Sequence, residues 1–387
     1  MRYVNSIFAS LLKPIDRRSF EAIVTRHDGD AYYKSFKSWD HLTVLIYAQL
    51  SRATSLRGLE ASLNANAHHH YHLGIGALAR STLSDANARR PVRVFADVFA
   101  MLAQITDRMT RHAGNEMLRL IDASPIPLGE MCGWAKWNGR IRGMKMHVVY
   151  DPQADCPRQV EITPATVNDV EIGRRVAIEA GATYVFDKGY YHYGWWTKID
   201  AAKACFVTRP KENTRFRAHK RRPVEESVGD GFTIIDDAEV VLASKGDSKL
   251  PIPLRRIRVQ RDQGGIITLI TNDMNRTAVQ IAALYKARWQ IELLFRWIKQ
   301  HLDIRNFLGN NDNAVRLQVL AAMIAYLLLR IAARIHGVKM PALRLAELVA
   351  HCLFVRKSVA QIHKPPPVNP SKPMPRLSPD QMSLCYA

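Results

Sequence analysis

Cysteine is scarce and unpaired in this sequence. Cys132, Cys156, Cys205, Cys352 and Cys385 are odd in number and scattered, and no CxxC pair occurs. That pattern excludes a disulfide framework and a zinc cluster of ordinary spacing, and it fits a reducing compartment. Acidic residues are also in deficit: Asp and Glu total 35 against 55 Lys and Arg, a formal net charge of +20. A folded chain with that surplus is matched to a polyanion, because each phosphate neutralised releases condensed counterions. Long apolar runs are missing too. Val319 to Leu329 is closed by Arg330 and preceded by Arg316, short of the roughly 20 residues that span a bilayer, so a buried helix and no membrane partner are expected. The N-terminus lacks a signal-peptide layout, since Lys13 and Asp16 occupy the place of a cleavage region, and a cytoplasmic protein is expected. No internal repeat is present. Gly74-x-Gly76 follows no strand, which argues against a dinucleotide site.

What is present suffices for real cores: 387 residues, 47% of them apolar. From Asp40 to Ile105 apolar positions recur every three or four residues, which predicts an all-helical head. Between Leu118 and Pro210 short apolar runs (LRLIDASPI, KMHVVYD, TYVFDKG) end in turn-formers, and VEIGRRVAIEAG reads as a helix from Asp169 to Gly181. This is α/β texture. Residues 205–272 hold several strand-like pieces with no helix between them, which predicts an antiparallel unit. Helices resume from Thr277 to about His301 and from Asn313 to about His336, and the end is proline-rich and basic. The expected division is 1–115 helical, 116–345 α/β with a β insertion at 205–272, and 346–387 a tail.

Two aspartates end buried runs: Asp122 after Leu118–Ile121 and Asp187 after Tyr184–Phe186. Either one alone reads as a turn or cap residue. The third element is QIAALYKARWQIELLFRWIKQHL, where Tyr285, Arg288, Glu292 and Lys299 stand three, four and seven residues apart. At about 100° per residue they point near 0°, 300°, 340° and 320°, one narrow polar stripe. Leu284, Ile291, Phe295, Ile298 and Leu302 fall at about 220–280°, directly alongside. A solvated charged face would lie opposite the apolar one. Here a carboxylate flanked by Arg and Lys borders the core.

The pattern Tyr285-x2-Arg288-x3-Glu292-x6-Lys299 resembles the YREK signature of DDE transposases of insertion-sequence family four at every spacing. LIDASPI around Asp122, GMKMHVVYD (Gly143 to Asp151) and FDKGYYHY around Asp187 are similar to the family's first catalytic strand, second strand and second catalytic aspartate. SLRGLE and ARSTLSDANARRPVRVF are similar to the helical domain that precedes the core in one branch. The resemblance implies a ribonuclease H-like α/β core interrupted by an antiparallel β insertion, with an all-α N-terminal DNA-binding domain and a helical C-terminal region. It implies that Asp122, Asp187 and Glu292 hold two Mg²⁺ ions, with Mn²⁺ able to substitute. It also implies that a homodimer acts on double-stranded DNA, both element ends and target, near the nucleoid. Hard oxygen ligands suit Mg²⁺, and two such ions clamp an in-line displacement at phosphorus.

Several residues are expected to meet DNA. Arg288 and Lys299 suit phosphate, Arg by a two-pronged contact, and Tyr285 suits phosphate or sugar; the alternative is that both cations simply pair with Glu292. RPKENTRFRAHKRRP crowds Arg215, Arg217, Lys220, Arg221 and Arg222 between strand candidates, either a phosphate-binding loop or a solvated one. Arg209, Lys211 and Asn213 resemble the family's polar run after the strand. The insertion has no Trp to receive a flipped base and offers Phe216 and Phe232. In ARSTLSDANARR a cap-like Ser81 or Thr82, Asp85 in the first turn, and Arg89 with Arg90 near the end suit a helix laid on DNA, or one that packs with its arginines in water. The tract His68–His72 reads as a polar loop, since consecutive residues do not converge on one ion. Lys145 and His147 share one face of a strand. Rival readings are a ribonuclease H-like nuclease such as a junction resolvase, and a DNA-binding regulator that no longer cuts.

Overall fold

The computed structural model describes residues 5–110, 117–224, 228–242, 252–301 and 307–363. Leu302, Cys385 and the proline-rich end fall outside them. The head is helical: α1 (Ile7–Leu12), α2 (Arg17–Arg26), α3 (Ser38–Ser51), α4 (Leu56–Asn64), α5 (His70–Leu73), α6 (Arg80–Arg89) and α7 (Val92–Thr110). Side-chain caps start several of these helices. Ser6, Asp16 and Ser55 each accept a backbone N–H three residues on, which satisfies one of the orphan donors of a first turn.

One sheet organises the rest. Its strands are β1 (Leu118–Pro127), β2 (Gly143–Asp151), β3 (Cys156–Pro164), β4 (Thr183–Phe186), β5 (Cys205–Thr208), β6 (Phe216–Arg221), β7 (Val228–Gly229), β8 (Phe232–Leu242), β9 (Leu254–Arg261) and β10 (Ile266–Thr271). The order is β3-β2-β1-β4-β5-β10-β9-β8-β6, with β7 on β8. β1, β2 and β3 pair antiparallel, whereas β1-β4 and β4-β5 are parallel. The intervening helices are α8 (Asp169–Gly173) and α9 (Tyr193–Ala201), and the chain closes with α10 (Ala278–Ala287), α11 (Trp289–His301), α12 (Asp312–Ile335) and α13 (Ala342–Cys352).

Strand alternation sorts the side chains into two cores. Leu120, Val148 and Val185 join the core shared with α3, α7, α11 and α12. Their neighbours Ile121, Val149, Tyr184 and Phe186 point the other way, toward Trp195, Trp196 and Ile199 of α9. The first core is continuous from Ile7 in α1 to Ile362.

Four expectations need correction. The segment after Asp169 is helical only to Gly173, because Tyr184 takes its backbone groups: the Glu179 N–H donates to the Tyr184 hydroxyl, which donates to Ala177 O. Strand β5, expected in the antiparallel unit, lies parallel to β4 on one side and antiparallel to β10 on the other. Much of the basic loop is edge strand β6. By contrast, the expectation of a buried helix at 319–329 holds: the run belongs to a 24-residue helix whose composition would suit a membrane, and 89% of its most apolar window is buried inside the protein. The His tract is a helical turn, with His70 buried and its Nε2 3.0 Å from Leu63 O.

Arg90 is the sharpest departure in the head. Its side chain is 2% exposed and pairs with Asp30 at 2.6 Å. It also donates to Gly29 O, Ser38 Oγ and Phe36 O and covers the Tyr33 ring. It is a structural tie between helices, not a DNA contact; Arg89 beside it is exposed. Helix α6 begins at Arg80 with Ala79 as N-cap, so Ser81 and Thr82 lie inside it. The Glu60 carboxylate accepts the Arg80 N–H instead. Removing a buried charge strands its partners. Arg90→Ala is therefore expected to lose about 3 kcal/mol of stability in urea unfolding, while Arg89→Ala should change it by less than about 0.5 kcal/mol.

Candidate active site

By the same alternation Asp122 lies on the face of Leu120, and Asp187 on that of Val185, the face covered by α11. Ile121 is in register with Phe186 across the parallel pair, so Asp122 and Asp187 follow side by side on neighbouring strands, about 4.8 Å apart in backbone spacing. Asp187 then caps the short turn Lys188–Tyr190, accepting the Gly189 N–H at 2.5 Å.

Glu292 comes from α11. The expected single helix is two, with Arg288 at the joint. The bonds Arg288 N–H to Tyr285 O and Ile291 N–H to Arg288 O are of the tighter three-residue kind. The polar stripe survives that joint: Tyr285, Arg288, Glu292 and Lys299 are all half-buried, while Ile291, Phe295 and Ile298 are buried.

Arg288 joins the elements electrostatically. Its guanidinium donates to Glu292 Oε1 at 2.6 Å and to Asp122 Oδ2 at 3.3 Å. Burial lifts the Asp122 carboxyl to about 6, against the lowering pull of the Ala123 N–H and of Arg288, with Asp187 and Glu292 adding to the rise. Burial by itself would depress Arg288, but Tyr285, Asp122 and Glu292 outweigh it and its pKa is raised. The Tyr285 hydroxyl is raised by burial. A carboxylate held this far from water, with two others near, is matched to a cation.

A cavity of about 370 Å³ opens over these groups, lined by Asp122, Ser124, Glu292, Phe295, Arg296 and Lys299. A second, of about 520 Å³, lies where strands β8 to β10 meet α10 and includes Arg209, Phe232, Lys286, Tyr285, Arg288 and Trp289. Trp289 in this lining, and Asp169 near Asp187, were not among the sequence candidates. Trp289 is half-exposed, and its position next to Arg288 was the available signal. Asp169 and Asp187 both border Gly189, where a Cβ would meet their carboxylates at 3.7 and 3.6 Å, and Lys145 holds Asp169 at 2.9 Å. Topology alone could reveal that. Phe232 is buried, with its ring at the wall of the second cavity, and Phe216 is half-buried against the second core.

The other basic residues divide: Lys211 lies near the Asp187 end of β4, where its neighbour Glu212 pairs with Lys188 at 3.0 Å, and the arginines of the β6 region lie farther off. Lys211 sits over the Tyr191 ring. Arg215, Arg217 and Arg221 are exposed on or beside β6, six strand steps from β1 in the sheet order, roughly 29 Å at 4.8 Å per step. Arg222 is structural, bonded to Met274 O and Glu239.

Residues 114–328 match a family model described as a transposase DDE domain. The chain belongs to the DDE transposases. Residues 4–76 match a domain of unknown function, DUF4372. A Sinorhizobium fredii protein, y4zB, whose name assigns it as a transposase, is 68% identical over 79% of this chain and 85% of its own length. A Geobacillus stearothermophilus protein named for insertion sequence element IS5377 is 28% identical over 65% of the chain and 66% of its own. A solved synaptic complex of piggyBac transposase with hairpin DNA aligns at TM-score 0.47 and 11% identity, covering 98% of this chain and 88% of that one. This transposase is thus a DNA-cleaving enzyme of the IS4 type, and its family implies dependence on a divalent metal. Asp122, Asp187 and Glu292 offer the hard oxygens such an ion takes. Among the described residues no three Asp, Glu, His or Cys side chains are arranged to close on one ion; in this arrangement Arg288 lies between two of the carboxylates.

The raised Asp122 pKa has a definite sign. Its folded value, about 6, exceeds the ordinary 3.8, so the folded state holds the proton longer, and the contribution to stability is full below the unfolded pKa and lost as pH rises through about 6. In metal-free protein, Asp122→Asn should therefore gain Tm relative to wild type on going from about pH 4 to about pH 7. Parallel Tm profiles would show that burial does not hold this carboxyl high.

Proposed function

We propose that this transposase moves its element by cutting and pasting. As a homodimer it would bind the terminal inverted repeats of double-stranded DNA, cleave at the element's 3′ ends and join them to target DNA. The observation that carries the reading is Arg288 bonded at once to Asp122 and Glu292, with Asp187 one strand away. Asp122 and Glu292, 170 positions apart in the sequence, meet under one cation, and Asp187 follows Phe186, the register partner of Ile121, on the neighbouring strand. The order β3-β2-β1-β4-β5, with three antiparallel strands followed by two parallel ones, supports a ribonuclease H-like core, with β6–β9 and β10 as the β insertion.

In this reading Asp122, Asp187 and Glu292 would hold two Mg²⁺ ions, with Mn²⁺ able to substitute. Bound metal supplies activation of the attacking hydroxyl and stabilisation of the departing oxygen. The protein's part is positioning and charge. Arg288 exchanges its carboxylate bonds for a two-pronged contact with the DNA phosphate. Lys299 adds a point charge on the same cavity wall, and Tyr285 borders it. Arg209, Lys211, Arg215, Arg217 and Arg221 grip the duplex, and Arg89 contributes from the helical head. We assign 1–115 to end binding, 116–345 to catalysis and 346–387 to a tail.

Incubating the protein with labelled element ends, Mg²⁺ and a plasmid target should give cleaved and joined products. Cleavage without joining would favour a resolvase. Asp122→Asn, Asp187→Asn and Glu292→Gln should each reduce cleavage to background in that assay while leaving end binding within about twofold, since binding is mainly phosphate electrostatics. Turnover at the wild-type rate removes that residue from the metal site. Reversing the charge of Arg217 and Arg221 together should weaken binding and reduce the log–log salt slope by about two. An unchanged slope means a solvated edge strand.

A further inference from the structure

The connection between β1 and β2, residues 128–142, is built to present its outer face. Leu128, Cys132 and Ala135 are buried, whereas Met131 is 79% exposed, Trp137 61% and Trp134 38%. Lys136, Arg140 and Arg142 are exposed between them, and none of the three forms an ion pair with a described residue. Leaving two indoles in water forgoes a large burial gain, and an exposed apolar patch of this kind marks an interaction surface.

The segment is ordered by its own bonds. The Asn138 side chain accepts the N–H groups of Arg140 and Ile141 at 3.0 and 2.9 Å and donates to Ala165 O at 3.1 Å. A backbone bond joins Asn138 N–H to Ile141 O, and another joins Leu128 N–H to Arg142 O. Gly139 supplies the positive φ, +91°, that this turn requires. Trp134 is fixed separately, donating its indole N–H to Asn310 O at 2.5 Å. The surface is therefore set before anything binds, which lowers the ordering cost of association.

Its location ties it to the carboxylates. β1 carries Asp122 and runs five residues further to Pro127, about 17 Å at 3.4 Å per residue. Asn310 lies on the connection leaving α11, the helix that carries Glu292. DNA seated at the carboxylates would reach this surface within several nucleotides. Aromatic rings interleaved with unpaired cations match one ligand chemistry: the cations take phosphates, and the rings take the faces of bases that have left the stack. A fully paired duplex hides those faces, and an apolar protein partner would leave three cations without partners.

We propose that this connection holds unpaired bases of the DNA beside the scissile phosphodiester, with Trp137 stacking on a base and Lys136, Arg140 and Arg142 on the flanking phosphates. The proposal rests on the carboxylate site being where DNA is cut, and it adds the conformation of the DNA at that site.

The test is fluorescence anisotropy with the full chain and two labelled probes, an element-end duplex and the same duplex with a short single-stranded extension. Wild type should bind the extended probe more tightly. Trp137→Ala should weaken that probe about tenfold and leave the plain duplex unchanged, and Trp137→Phe should restore most of the difference. Arg140→Gln should weaken both and reduce the salt slope by about one. Equal binding of the extended probe by Trp137→Ala and wild type overturns the proposal while leaving the cutting reading intact. Failure to bind either probe overturns both. If Trp137→Ala alters the oligomeric state by light scattering without DNA, the surface is a protein contact and the proposal also fails.

Discussion

The Arg288 guanidinium is the contact on which the arrangement of the site depends. Burial penalises the charge of Asp122, and the neighbouring Asp187 and Glu292 add to that penalty, so a protein that places it there needs a cation at hand. Arg288 provides it from the joint just before the helix that supplies Glu292, four residues earlier, and reaches across to the sheet. Burial nevertheless prevails at Asp122, whose pKa stays high. Asp122 is thus left incompletely compensated by Arg288, at some expense in stability as pH rises.

Much of the rest of the fold can be read as support for that contact. The parallel pairing of β1 with β4 sets the two aspartates side by side, and the alternation of strand residues points both at α11. Helix α12, buried almost throughout, packs against the head and the sheet, so the surface on which α11 rests is rigid. The joint at Arg288 lets α10 follow β8 and β9 while α11 keeps Glu292 over β1.

The charge surplus divides in a way composition does not reveal. Arg90, Arg119 and Arg255 are buried in ion pairs, each tying distant segments together, whereas the cations of β6 and of the β1–β2 connection remain exposed. An arginine neighbouring an exposed one can be structural: Arg89 and Arg90 are adjacent, and successive positions on a helix point about 100° apart. Periodicity distinguishes such a pair only when the direction of the core is known.

The amino-acid sequence alone determined the helical head, the α/β texture of the middle, the buried character of the 319–329 run and the polar stripe of Tyr285, Arg288, Glu292 and Lys299 against the core. These are local facts, carried by periodicity and by motif spacing. Only the tertiary structure decided that the helix from Asp169 ends at Gly173 while Glu179 bonds Arg119 and Tyr184, that β5 stands between a parallel and an antiparallel neighbour, that Asp169 and Asp187 both approach Gly189, and that Arg288 rather than a solvent counterion lies between Asp122 and Glu292. Each depends on partners far away in the chain, and the energy of a long-range pair is written in no local pattern.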